Sequence, residues 1–178
     1  MHRIRCFALV ALLGLAACAT APVPSSGPFR TEGAPIYSSA VLQTDRMTGR
    51  WHEVGSFATL ARPGCRPGGA EIASGPHGSL QIMARLCLEG RSVPVAGALQ
   101  PVGPGRFALR GADPAGIGQP WWVLWADDGY RTLVIGTPSG TFGIVLNRTE
   151  NLPPDRRRAV VEILDWNGYD TARLVFSR

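Results

Sequence analysis

Gly49-Arg50-Trp51-His52-Glu53-Val54 sets a glycine and a tryptophan at the opening of a strand. The residues from 51 to 59 read as a strand, and Trp51 sits at its base. Near the other end of the chain, the last strand-like run before a helical segment finishes in Asn147-Arg148-Thr149. In a closed up-and-down barrel the first and last strands are neighbours. A Trp at the base of one can then stack under a guanidinium from the other.

The intervening sequence supports such a meander. Short runs at 51–59, 70–73, 79–88, 92–99, 106–109, 120–126, 130–137 and 141–148 read as eight strands separated by Gly- and Pro-rich turns. Over 80–87, Leu80, Ile82, Ala84 and Leu86 alternate with Gln81, Met83, Arg85 and Cys87, the period-two signature of a sheet with one buried face. Glu89-Gly90 and Asp127-Asp128-Gly129 supply turns. From Pro153-Pro154 the period lengthens, and Val160, Ile163, Leu164 and Asn167 fall on one helical face that stops at Gly168. A final strand is read at 174–176. The expected fold is all-β, an eight-stranded up-and-down antiparallel barrel with one C-terminal helix outside it.

The N-terminus reads differently. His2, Arg3 and Arg5 precede an apolar run from Cys6 to Ala17, too short to span a hydrocarbon core of roughly 30 Å. It ends in Leu15-Ala16-Ala17-Cys18, which resembles a bacterial lipobox. That resemblance implies a signal over 1–17, lipidation of Cys18 and a membrane partner through its acyl chains. Ala19 rather than Asp follows, which points to the outer membrane and a periplasm-facing protein. Residues 18–34, rich in Pro, Ser and Gly, read as the lipidated Cys and an extended leash, leaving 35–178 as one domain.

Cys65 and Cys87 remain, and in an oxidising compartment they read as one disulfide closing a loop, worth about 3 kcal/mol. Metal binding is the weaker alternative, because no His lies near them in sequence. The formal charge of +5 falls to +3 without Arg3 and Arg5. Arg156-Arg157-Arg158 reads as a solvated helix face, and no nucleic-acid partner is expected because no aromatic-interleaved basic stripe accompanies it.

Gly49 and Trp51 paired with Arg148 resemble the lipocalin family, where the Trp plugs the closed end of a ligand-holding barrel and the Arg packs across it. Trp121-Trp122-Val123-Leu124-Trp125-Ala126-Asp127 through Arg131 is similar to the second motif of that family, and Ile144 to Thr149 to the third. The helix with Gly168-Tyr169-Asp170 looks most like the bacterial and apolipoprotein D-like branch. Two departures stand out: His52 replaces a common Tyr, and Trp125 is bulkier than the usual residue, which would narrow the cavity. The resemblance implies a hydrophobic small-molecule partner, a fatty acid or lysophospholipid, and a homodimer is a further expectation. Alternation from Trp51 and Arg148 points Glu53, Gly55, Phe57, Ile144 and Leu146 inward. The resemblance implies Trp121, Val123 and Trp125 inward on the sixth strand, and Val134 is counted with them around the ligand.

No cofactor, metal site or enzyme activity is expected. The sequence has neither Gly-x-Ser-x-Gly nor His-Glu-x-x-His, and 136–141 lacks the Lys of a phosphate loop. Asp127 and Asp128 read as a turn rather than a calcium site, and His77 as a solvated turn residue. A barrel filled by its own side chains, serving as a structural or interaction protein, is the rival reading. A lipid-modifying enzyme would need Glu53 as its acid. That residue reads instead as a capped, solvent-linked carboxylate near the barrel floor, with the orienting of a polar ligand head as the alternative.

Overall fold

Strand β1 (Gly49–Phe57) holds the fold together because it pairs along both edges. One edge takes β8 (Gly143–Asn147); the other takes β2 (Gly69–Ser74) at its start and β9 (Leu174–Phe176) at its end. Between β2 and β8 run β3 (Leu80–Leu88), β4 (Arg91–Gly103), β5 (Arg106–Arg110), β6 (Trp121–Ala126) and β7 (Thr132–Gly136), each antiparallel to its sequence neighbour. The result is a closed eight-stranded barrel with β9 outside it and one helix, α1 (Pro154–Trp166), against its wall. This computed structural model describes residues 27–58, 64–111, 117, 118 and 120–177. The signal, Cys18 and the leash up to residue 26 lie outside the described residues.

The expected strands are all present with shifted ends; β1 starts at Gly49 rather than Trp51 and β8 at Gly143 rather than Thr141. β4 continues past Leu99 to Gly103, through Pro101, which reads as a breaker; the ladder is irregular between Pro101 and Gly103, where a missing N–H is tolerated. β7 begins at Thr132 because Tyr130 is in the turn, at φ 51°.

Two apolar layers result. The inner one fills the barrel with Trp51, Ile72, Ile82, Val95, Phe107, Leu133 and their neighbours. The outer one joins β1, β6, β7 and β8 to the helix through Val54, Leu124, Val134, Val145, Val160 and Leu164. Of the three consecutive arginines, Arg156 donates to Thr132 Oγ1 and Asn147 Oδ1, both at 3.0 Å, and Arg157 lies 4.3 Å over the Phe176 ring. Those contacts fasten the helix to the wall.

The leash is shorter than its composition implies. Phe29 and Arg30 are buried, so the packed chain begins inside the segment read as extended. Phe29 N–H donates to Gly140 O at 2.7 Å, and Arg30 donates to Asn167 O, Pro138 O and Ala34 O. From there a strap descends the barrel: Ser39 N–H meets Val123 O at 2.8 Å, and a 3₁₀ turn at Thr44–Met47 ends beneath Trp51.

Tyr169 ties the strap, helix and barrel together. Its hydroxyl accepts from Thr137 N–H at 2.9 Å and reaches Phe142 O at 2.8 Å, while its ring lies 5.0 Å from Phe57. Burial pushes its phenol up to about 12. An acid whose folded pKa exceeds its unfolded value near 10 contributes stability that is complete below pH 10 and lost as pH rises towards 12. Alkaline denaturation of Tyr169→Phe should therefore lose about 2–3 kcal/mol of pH dependence across that window, read as stability against pH.

Candidate functional site

The closed end is built first. Trp51 is buried and its Nε1–H donates to Met47 O at 2.7 Å. The Arg148 guanidinium stacks 3.6 Å above the Trp51 ring. Every arm of that guanidinium is used: Nε on Tyr130 O, Nη1 on Arg50 O, and Nη2 on Arg46 O and Thr48 O, at 2.8–3.2 Å. Gly49, at φ +99°, brings the backbone so close that a Cβ would meet Arg148 Nη1 at 3.2 Å. One planar cation thus seals the floor by joining the 3₁₀ turn, β1 and the β6–β7 turn.

Glu53 belongs to the wall. β2 leaves β1 at His52, opposite Gly69; towards the mouth that edge of β1 pairs with β9, outside the barrel, and β1 has no ladder linking it to β3. Side chains take over the missing ladder bonds: Glu53 Oε2 accepts from Gly68 N–H at 2.9 Å and Cys87 N–H at 2.8 Å, and Ser56 Oγ donates to Cys87 O at 3.2 Å. The Cys65–Cys87 disulfide, with Cα atoms 5.7 Å apart, staples the same gap. Burial raises the Glu53 pKa, and hydrogen bonds from Gly68, Cys87 and Ser56 pull against that rise. The acid that a catalytic reading would need is committed to holding backbone.

The open end lies where β3 turns into β4, β5 leads towards β6, and β7 turns into β8. Just inside it, the Trp121 ring stacks on Phe142 with centroids 5.1 Å apart. Trp121 is 2% exposed, yet its Nε1–H has no hydrogen-bond partner among the described residues. Phe142, Ile117 and Leu88 also border a small cavity of about 50 Å³ at the mouth. No cluster of three or more metal-ligating side chains occurs among the described residues.

Of the residues expected around the ligand, Trp121, Val123, Ile144 and Leu146 face the interior. Phe57, Trp125 and Val134 do not; all three lie in the layer outside the barrel. Bulges on β1 and β6 turn Phe57 and Trp125 outward; Val134 lies on the regular β7–β8 ladder opposite Val145, and parity alone puts it outside while Leu133 and Ile135 face in. Glu53 pairs with Leu146 but Gly55 with Val145, so Val54 is an extra residue and Phe57 turns outward onto Phe29 and Tyr169. Likewise Val123 pairs with Ile135 but Trp125 with Val134, which turns Trp125 out and Ala126 in. The bulky Trp125 therefore does not narrow the cavity. Interior positions that the sequence did not single out include Phe107, Leu133, Ile135 and Phe142. Asp127 is a turn residue, accepting from Arg131 and Thr132 N–H at 2.6 Å.

The barrel, the stacked floor and the outer helix agree with a sequence comparison. A profile described as a lipocalin-like domain matches residues 42–178. The chain belongs to the lipocalin-like family. It is similar to temperature-induced lipocalin-1 of Arabidopsis thaliana, 23% identical over 146 residues covering 75% of this chain and 77% of the relative. It is also similar to a putative lipocalin of Acanthamoeba polyphaga mimivirus, 24% identical over 147 residues covering 79% of this chain and 86% of that one. Lipocalins are generally binding proteins, and a barrel of this kind suits small hydrophobic ligands.

Proposed function

We propose that this lipocalin-like chain is an outer-membrane-anchored, periplasm-facing carrier of a fatty acid or lysophospholipid. The observation that carries the reading is the combination inside the mouth: an interior lined by apolar side chains, with the enclosed Trp121 Nε1–H lacking an acceptor among the described residues. An indole N–H buried without a partner carries a desolvation penalty, which a ligand oxygen would relieve. A carboxyl or ester oxygen at Trp121, with its chain descending between Phe107, Ile135 and Ile144, suits both surfaces. The lipobox at Cys18 supports membrane anchoring, and the apolar chain of the ligand matches what a membrane supplies.

Titration with an acyl probe should quench tryptophan fluorescence saturably, and absence of a response across chain lengths would count against ligand binding. Trp121→Phe keeps the ring and removes the donor. It should weaken a fatty ester about tenfold, the value of one neutral hydrogen bond, and leave a hydrocarbon of equal length unchanged.

A second reading has its own support. The Trp121–Phe142 stack and the small mouth cavity fit a barrel filled by its own side chains. For a carrier, that aromatic pair must part to admit the ligand, so saturable quenching separates the two.

A further inference from the structure

The strap gives the barrel a direction. Its path runs from the mouth, at Phe29 and Gly140, past Val123 to the 3₁₀ turn at the floor. Followed towards the N-terminus, the chain leaves the barrel at the open end. The exit is held to its last described residue: Arg173 donates to Pro28 O at 3.1 Å and Gly27 O at 3.3 Å, and its guanidinium lies 4.2 Å over the Phe29 ring.

The length of chain beyond that exit limits the geometry. Gly27 and Cys18 are nine positions apart, a reach of at most about 30–32 Å at ~3.3–3.6 Å per residue. Only β1, β3 and β4 have nine to thirteen residues, a height of about 25–35 Å when tilted at ~35–45°; β7 and β8, beside the leash exit, have five each, about 12–14 Å. Placing the floor against a membrane would require the leash to reverse at the mouth and run back down the outside of the wall. Placing the mouth there requires neither.

A second feature lies at the same end. Trp166 closes the last turn of α1 and is 74% exposed. The residues just after it, Asn167 and Gly168, accept from Arg30 and Thr31 of the strap, which puts this indole beside the leash exit. An exposed Trp has little reason to face water but suits the boundary between headgroups and acyl chains. Arg91 and Arg110 are exposed at the mouth ends of β4 and β5, where anionic headgroups would meet them.

We infer that the open end of the barrel faces the bilayer, with Trp166 at the lipid–water boundary, so that ligand passes between membrane and cup without crossing the periplasm. This rests on the anchoring in the proposed function. The docked surface is the rim around Trp166 and the Gly140 turn, and its partner is the surface of the lipid membrane that holds Cys18.

The test uses the full lipidated chain on vesicles of phosphatidylethanolamine and phosphatidylglycerol that carry a nitroxide-bearing lipid. Fluorophores are placed singly at Ser139→Cys, on the mouth turn, and at Asp128→Cys, on the floor turn; both positions are exposed. Quenching should be several-fold stronger at Ser139→Cys, and part of the native tryptophan quenching should vanish in Trp166→Phe. Equal quenching, or stronger quenching at Asp128→Cys, would overturn the orientation while leaving the anchor intact. Failure of the lipidated chain to bind vesicles at all would overturn the anchoring and the orientation with it.

Discussion

Trp51→Ala should lower stability by about 3–5 kcal/mol, the cost of removing a large fully buried aromatic side chain. In a domain of this size that is a fall of roughly 10–15 °C in the melting midpoint. The loss has two sources. A cavity opens under the floor, and the stacked Arg148 loses the face it covers at 3.6 Å. Arg148→Lys tests the second source separately, because a lysine ammonium cannot serve carbonyls of Tyr130, Arg50, Arg46 and Thr48 in one plane. It should destabilise nearly as much as Arg148→Ala. Urea denaturation checks both, and a lysine variant as stable as the native chain would show that the planar fork is not what seals the floor.

The second large effect concerns the gap between β1 and β3. Glu53→Ala strands the buried N–H of Cys87, at about 1–3 kcal/mol, and the half-buried N–H of Gly68, at about 1 kcal/mol, so a loss of about 2–4 kcal/mol is expected. Glu53→Gln keeps a carbonyl oxygen for both donors and removes the buried charge. Its stability at pH 7 should equal or exceed that of the native protein. The pH dependence follows from the raised folded pKa of Glu53. Such a group contributes stability that is fully present below its unfolded pKa of 4.5 and is lost as pH rises through the folded value. The native protein should therefore lose some stability over that interval, and Glu53→Gln should not. Denaturation midpoints from pH 4 to 7 measure this, and a Gln variant as unstable as the Ala variant would place a required charge at Glu53.

Much of this architecture could be read from the chain because it depends on local signals. Alternation over 80–87, the Asp127-Asp128-Gly129 turn and the Pro153-Pro154 helix start each act within a few residues. The Trp51–Arg148 pair became readable once the first and last strands were taken as neighbours. What stayed hidden depends on single-residue slips and strand lengths. The extra residues Val54 and Leu124 look like their neighbours, yet each reverses which face the rest of its strand presents, so Phe57 and Trp125 moved outside; Val134, on the regular β7 ladder, is outside by parity with Val145. The role of Glu53 depends on β2 being too short to cover β3, which no motif announces. The strap had one signal: Phe29 is a lone aromatic in a stretch of small residues, and it marks where packing begins.

The most direct measurement of ligand carriage is native mass spectrometry on the chain purified from its own membranes without delipidating steps. A cup that carries lipid predicts a bound species with the mass of a fatty acid or lysophospholipid, which is lost on collisional activation and reduced in occupancy by Trp121→Phe. Protein that appears only at its bare lipidated mass, and stays so after exposure to those lipids, would contradict ligand carriage and leave the filled barrel as the reading.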